Sequence, residues 1–384
     1  MRILIFSSEF PPGPGGIGTH AYQLARYFSA QGHPVRVLSP QDYAAADEVS
    51  AFNSLQTFSI VNLSGGKNSI DKAVNRAKGL NHAIFDFKPD IVLVSGGRSI
   101  WLAASVLRGK RIPWVVVGHG TEFGTRFGIA SIITRIACNR ADAAVCVSDY
   151  TRARMISLGI TKPRTVVIHN GADAHFFHPL PSDGVATFRK ANGVEDQFVL
   201  LTVGNVSPRK GQELVIRALP EILKKHPNVV YWMAGLPAQR DELEALAVEL
   251  GVLEQIRFWG RVSQETLLRL YNACDLFIMT SRQLRNGDFE GYGIAVIEAA
   301  LCGKASLVSD NSGLAEAVQD GETGLHVPQG EVEPIAEAVK KLMSSPILRQ
   351  TLADTAYTRA ISEHTWEQVG DEYLRFFERL LKGD

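Results

Sequence analysis

Two glutamates, Glu290 and Glu298, stand with seven residues between them in the segment DFEGYGIAVIEAALCG, Asp288 to Gly303. Gly291 and Gly293 follow the first, and an apolar run of helical character carries the second. A helix that starts near Gly293 turns its unpaired first-turn amides toward the loop bearing Glu290, and such an end attracts anions. Glu298, just over one turn in, offers a carboxylate to hydroxyl donors. One element can therefore hold a phosphate and grip neighbouring hydroxyls. Spacing alone also describes an ordinary helix with a surface glutamate, so other residues must decide.

Three other groups bear on that decision. The run GNVSPRKG, Gly204 to Gly211, follows a strand and puts Arg209 and Lys210 where a helix starts. Cations and helix N–H groups converging at a strand end suit a diphosphate. His119 ends the strand of WVVVGHGTE, where Gly118, Gly120 and Glu122 predict an exposed turn, a functional setting more than a structural one. The loop PPGPGGIGTH contains Gly13-x-Gly15-x-x-Gly18, the spacing of a dinucleotide fingerprint. Its length and its prolines Pro11, Pro12 and Pro14 argue against that tight turn. The acid expected after the second strand is represented only by Asp42, beyond Pro40. A glycine loop that admits a phosphate or sugar to the backbone is the better reading. The chain has no Asp-x-Asp pair and no clustered His and Cys, so neither a dedicated metal site nor a cofactor is expected.

The elements that must position these groups alternate between strand and helix. RILIF, VRVLS, DIVLVS, WVVVGH, AAVCVS and TVVIH are short β-branched runs, as in strands of a parallel sheet buried on both faces. Helical stretches such as residues 17–31 and 149–158 separate them. The pattern breaks at NGADAHFFHPLPSDG, residues 170–184, which reads as a linker. A second series follows: FVLLTVG, VVYWMAG, IRFWG, LFIMT, ASLVS and GLHVP. The expected fold is α/β, with two Rossmann-like doubly wound domains over residues 1–180 and 181–364, facing a cleft. Residues 365–381 carry Trp366, Val369, Tyr373, Phe376, Phe377, Leu380 and Leu381 near helical spacing, an amphipathic helix that must pack somewhere.

The 384 residues exceed one typical core, and the formal net charge is zero. The halves differ: residues 1–180 hold 19 Lys and Arg against 11 Asp and Glu, and the remainder 21 against 29. That split disfavours nucleic-acid binding and suits an N-terminal domain facing an anionic surface or substrate. Four scattered cysteines, no signal peptide and no long apolar run predict a cytoplasmic protein, at most peripheral to a membrane.

Taken in order, PPGPGGIGTH, HGTE, VSDYTRARMISLGI, VIHNGADAHFF, GNVSPRKG, GRVSQETLLRLYNACDLFIMTS and DFEGYGIAVIEAALCG resemble a GT-B glycosyltransferase of the retaining family 4 type over essentially the full length. The resemblance implies metal-independent transfer of a sugar from a nucleotide diphosphate donor, and a final helix, 365–384, that crosses back to complete the first domain. The first domain is then expected to bind the acceptor and the second the nucleotide sugar. Arg209 and Lys210 resemble the residues that neutralise the leaving diphosphate, Glu290 the glutamate beside the donor sugar, and Glu298 the acceptor of ribose hydroxyl bonds. Backbone groups around Gly291, Tyr292, Gly293 and Ile294 are expected to hold sugar and phosphate oxygens. Gly15 and Gly16 resemble the glycines near the diphosphate, and His119 the histidine beside the sugar's hydroxymethyl group. Arg261 and Val262 fall where the family's loop meets the base. In the turn Gly204–Asn205, Asn205 stands where many relatives carry Arg, and Arg209 is expected to supply that charge.

The resemblance further implies front-face attack, with the leaving phosphate taking the acceptor proton; a double displacement on Glu290 is the alternative. UDP-glucose is the favoured donor and a GDP-sugar the second. The acceptor is expected to be a saccharide or lipid-linked, as in surface polysaccharide assembly. Arg108, Lys110, Arg111, Arg126, Arg135 and Arg140 are the candidate contacts to an anionic membrane. A sugar-nucleotide epimerase and a non-catalytic sugar-nucleotide-binding protein are the competing readings, and no lysine setting suggests a pyridoxal-dependent phosphorylase.

Overall fold

The computed structural model describes residues 1–13, 15–124 and 128–383. Pro14 of the glycine loop and Arg126 of the basic group lie outside the described residues. The chain divides into two compact units, one of Met1–Asn170 with Trp366–Asp384, the other of Gly171–Thr365.

Unit 1 contains β1 (Ile3–Ser7), β2 (Val35–Ser39), β3 (Ser59–Asn62), β4 (Ile91–Ser95), β5 (Trp114–Gly118), β6 (Ala143–Cys146) and β7 (Arg164–Val167). They form one sheet in the order β3-β2-β1-β4-β5-β6-β7, and every pairing is parallel. The strand order reverses between β1 and β4, which makes a crevice at their carboxyl ends. Strands β1, β4, β5 and β6 are buried throughout, as their unbroken apolar runs require. The reading by apolar runs finds six strands here and misses β3. That strand lies at the sheet edge with mostly exposed residues, so burial leaves no mark on its sequence.

Unit 2 contains β8 (Phe198–Val203), β9 (Val229–Ala234), β10 (Ile256–Gly260), β11 (Leu276–Met279), β12 (Ser306–Ser309) and β13 (Gly324–Val327). Their order is β10-β9-β8-β11-β12-β13, again all parallel, with the switch between β8 and β11. Leu214, Ile216 and Leu219 of the helix Gln212–Leu223 pack with Val339 and Leu342 of the helix Glu333–Ser344 in the core of this unit. The stretch 170–184 is not wholly a linker. Ala172 bridges to Thr365, and a helix, Ser182–Ala191, already begins before residue 184, with Asp183 placed favourably in its first turn.

The last helix runs over Trp366–Lys382 and packs on the helix Gly16–Ala30 within unit 1. Phe377 meets Phe28 at 5.8 Å and Trp366 meets His20 at 5.6 Å between ring centroids. The Tyr27 hydroxyl donates to Asp371 across the same contact. Among the described residues no helix is long and apolar enough to cross a membrane.

Candidate functional site

In unit 2 the chemistry gathers at the carboxyl end of β8. The chain leaves β8 at Val203, runs through the turn at Gly204–Asn205 and enters the helix Gln212–Leu223 at Gly211. Gly211 has φ +73°, and a Cβ there would lie 2.0 Å from the Thr280 carbonyl oxygen. Only glycine lets this loop sit so close to the end of β11. Asn205 Oδ1 accepts from Leu236 N at 3.4 Å, so this side chain ties the loop after β8 to the loop after β9.

Arg209 and Lys210 converge on one carboxylate. Lys210 Nζ lies 2.7 Å from Glu290 Oε2, and Arg209 Nη1 donates to the same oxygen. Arg209 Nε is also 3.4 Å from Asp288 Oδ2. Burial by itself pushes the Glu290 pKa upward, but Lys210 and Arg209 overcome it and hold the carboxyl at about 2. Burial lowers the Lys210 pKa against the pull of Glu290, whereas Glu290 raises that of Arg209. Two cations and two carboxylates leave the cluster with no formal excess charge.

Next to it the helix Ile294–Leu301 begins at Gly293, and no side chain caps its first turn. Gly293 has φ +95°, and a Cβ there would lie 2.5 Å from Leu314 Cδ2. The helix therefore starts close to Gly293, as the sequence reading expects, with Val296 N donating to the Gly293 carbonyl oxygen at 3.0 Å. The Tyr292 ring is buried, with its hydroxyl 3.3 Å from His364 Nδ1. One turn on, Glu298 Oε2 accepts from the Tyr271 hydroxyl at 2.6 Å. Burial lifts the Glu298 carboxyl to about 7, against the Tyr271 bond. Arg261 and Val262 follow β10, two strands from β8 on the same sheet end.

Unit 1 gathers a second group at the carboxyl ends of β1, β4 and β5. His119 Nε2 is 2.8 Å from Ser95 Oγ, and its ring meets the edge of the His20 ring at 4.9 Å. The turn is less open than the sequence suggests, because Glu122 folds back to accept from His119 N at 3.1 Å and Gly120 N at 3.0 Å. Burial holds the His119 pKa down to about 3, so the ring is neutral. It lifts the Glu122 carboxyl to about 7, against its backbone N–H partners. At the start of the helix Gly16–Ala30, the Glu9 carboxyl packs so closely on Gly15 that a Cβ would stand 1.8 Å from Glu9 Oε2. Glu9 and Glu122 line a cavity of about 630 Å³ together with Ser8, Arg98, Trp101 and Thr134.

The structure thus brings together Arg209, Lys210 and Glu290, with Glu298 and Gly293 on the adjoining helix, and separately His119 with Ser95 and with His20 of the helix that starts at Gly16. Sequence reasoning missed Ser95, His20, Glu9, Asp288 and Tyr271. Ser95 and Glu9 stand at or just past strand ends, a position that marks them once the strands are known. Nothing in the sequence pairs Tyr271 with Glu298.

Two doubly wound parallel sheets, each with charged or polar groups at its switch point, define a two-domain α/β enzyme of the GT-B fold. Residues 14–176 match the family described as Glycosyltransferase Family 4, and residues 185–359 match Glycosyl transferases group 1. The chain belongs to the family 4 glycosyltransferases. It is 27% identical to a GDP-mannose-dependent alpha-(1-6)-phosphatidylinositol monomannoside mannosyltransferase of Mycolicibacterium smegmatis, over 96% of each chain. It is also 27% identical to a glycogen synthase of Mycobacterium tuberculosis, over all of this chain and 96% of that one. Among solved structures it is similar to Anabaena HepE in complex with UDP-glucose, with a TM-score of 0.84 and 20% identity over 98% of this chain and all of that one.

Proposed function

We propose that this glycosyltransferase moves a hexose from a nucleoside diphosphate sugar to a saccharide or lipid-linked acceptor, with retention at the anomeric carbon and without a metal. The observation that carries the reading is the convergence of Arg209 and Lys210 on Glu290 beside the uncapped helix start at Gly293. A diphosphate entering here takes over two cations now held by one carboxylate and meets the first-turn amides. Glu290, relieved of them, accepts from hydroxyls of the transferred sugar, and Glu298 accepts from the ribose.

In the transfer, the bond between the anomeric carbon and the β-phosphate oxygen breaks as negative charge grows on the diphosphate. Arg209, Lys210 and the amides are set in advance to stabilise that charge. The acceptor oxygen attacks on the face the diphosphate leaves, and its proton passes to the departing phosphate oxygen. Glu290, occupied in this reading by hydroxyls of the transferred sugar, forms no covalent bond, as a double displacement would require. A glycosyl adduct trapped on Glu290 would overturn this assignment. His119, neutral and hydrogen-bonded to Ser95, is placed in this reading beside the sugar's hydroxymethyl group.

UDP-glucose remains the first donor to test, supported by the UDP-glucose complex of the similar Anabaena protein. GDP-mannose is the second, supported by the mannosyltransferase relative. Thermal unfolding with UDP, GDP and their hexose conjugates discriminates, because a ligand of the native state raises its apparent stability. Incubation with donor alone then separates transferase from epimerase: interconversion of the sugar without acceptor would overturn the transferase reading. Activity that survives chelation is expected, and its loss on chelation would remove the metal-independent part. Acceptor encounter is assigned to the cytoplasmic face of an anionic membrane, supported by exposed Arg108, Lys110, Arg111 and Arg140 around one cavity of unit 1.

A further inference from the structure

The helix Ile129–Cys138 of unit 1 is apolar on two sides. Its inner side is buried through Thr134, Ala137 and Cys138, and Thr134 Oγ1 accepts from Trp101 Nε1 at 2.9 Å. That bond fastens it to the neighbouring helix Gly97–Val106. On its outer side Ile129, Ile132, Ile133 and Ile136 are 77%, 50%, 39% and 47% exposed. Positions i, i+3, i+4 and i+7 share one stripe of a helix, so these side chains make a continuous ridge. Isolated exposed isoleucines need no explanation, but a contiguous apolar row does.

Cations gather where the ridge ends. Arg135 is exposed on the helix itself, and Arg140 follows it with Nη1 3.5 Å from the Ala104 carbonyl oxygen. Arg108, Lys110 and Arg111 join Arg140 around a cavity of about 540 Å³.

We propose that this ridge seats unit 1 on an anionic bilayer, with the four isoleucines entering the acyl boundary and the cations resting on lipid phosphates. Interfacial helices combine these two features, an apolar face that is buried and basic side chains that meet anionic lipid. A second copy of the chain fits the ridge less well. Ile129 to Ile136 spans roughly 10 Å at 1.5 Å per residue, too little for the ~800 Å² that each partner of a stable interface buries. The proposal deepens the membrane part of the reading above and is independent of the donor.

The test is co-sedimentation of the full chain with vesicles of phosphatidylcholine, alone and mixed with phosphatidylglycerol. Wild type is expected to bind the mixed vesicles and release them as salt rises. Ile132→Ser combined with Ile133→Ser, and separately Arg108→Glu combined with Lys110→Glu, should each weaken that binding at least about tenfold. Both pairs are exposed, so the thermal midpoint and the shift caused by donor should stay as in wild type. Equal binding to neutral and mixed vesicles, or undiminished binding by the isoleucine variant, would overturn the proposal. So would a dimer seen by light scattering that the isoleucine variant dissolves. Because the donor shift is read on the same samples, its absence would fail the donor reading and leave the vesicle result standing.

Discussion

Glu290 and Glu298 lie on one short segment, yet their surroundings drive their carboxyl groups in opposite directions. Two cations hold Glu290 at about 2, and burial lifts Glu298 to about 7, from the same ordinary value of 4.5. The two therefore act on stability with opposite sign. Glu290 stabilises the fold fully above pH 4.5, and that contribution is lost as pH falls toward 2. Glu298 favours the fold fully below 4.5, and its contribution is lost as pH rises through 7. At about 1.4 kcal/mol per pH unit, the second effect is on the order of 3 kcal/mol. Glu298→Gln should then raise the urea midpoint of unit 2 at pH 8 and change it little near pH 5. In the proposed donor complex ribose hydroxyls bond the ionised form, so binding should lower the Glu298 pKa and release a proton. Nucleotide affinity should accordingly tighten from pH 6 to 8 in wild type and stay flat in Glu298→Gln, as titration calorimetry can follow; equal pH dependence in both would remove Glu298 from the ribose. Lys210→Ala, which in the proposed mechanism removes one of the two charges opposing the leaving diphosphate, should lower the transfer rate about a hundredfold or more.

At the scale of elements, the loops after β8 and before the helix Ile294–Leu301 depend on glycines that other residues cannot replace. Gly211→Ala forces a Cβ to within 2.0 Å of the Thr280 carbonyl oxygen at φ +73°. The expected loss is at least about 2 kcal/mol of stability, together with weaker nucleotide binding, since the displaced loop carries Arg209 and Lys210. Denaturant titration and the donor-induced thermal shift measure the two effects. Much of this frame was legible beforehand. Runs such as ILIF and IVLVS announce strands buried on both faces, and the cluster motifs fall at their carboxyl ends. β3 was not legible, because an exposed edge strand carries no apolar run. The sequence marked residues 209, 210 and 290 as candidates, but their mutual contact was not legible. The Tyr271–Glu298 bond was hidden, since it depends on how the helix Gln264–Ala273 meets its neighbour, and no local pattern records that.

At the scale of the molecule, unit 1 is discontinuous: residues 1–170 lack the helix Trp366–Lys382 that covers Phe28 and His20. A fragment of residues 1–170 should aggregate. Joining residues 366–382 to it through a flexible linker should restore a soluble monomer, checked by size exclusion and circular dichroism. Residues 171–365 form a continuous unit with its own core and should fold alone and bind nucleotide. If the fragment 1–170 proved stable without the helix, the helix would be an accessory and not a structural part of unit 1.

That discontinuity also sets a timetable for synthesis. The 195 residues of unit 2 are translated between the two parts of unit 1. At about 5–20 residues per second, the N-terminal part waits roughly 10–40 s for its last helix. During that interval the nascent chain carries an open aromatic groove beside a finished or finishing neighbour. The last unit to be completed is thus the first to leave the ribosome.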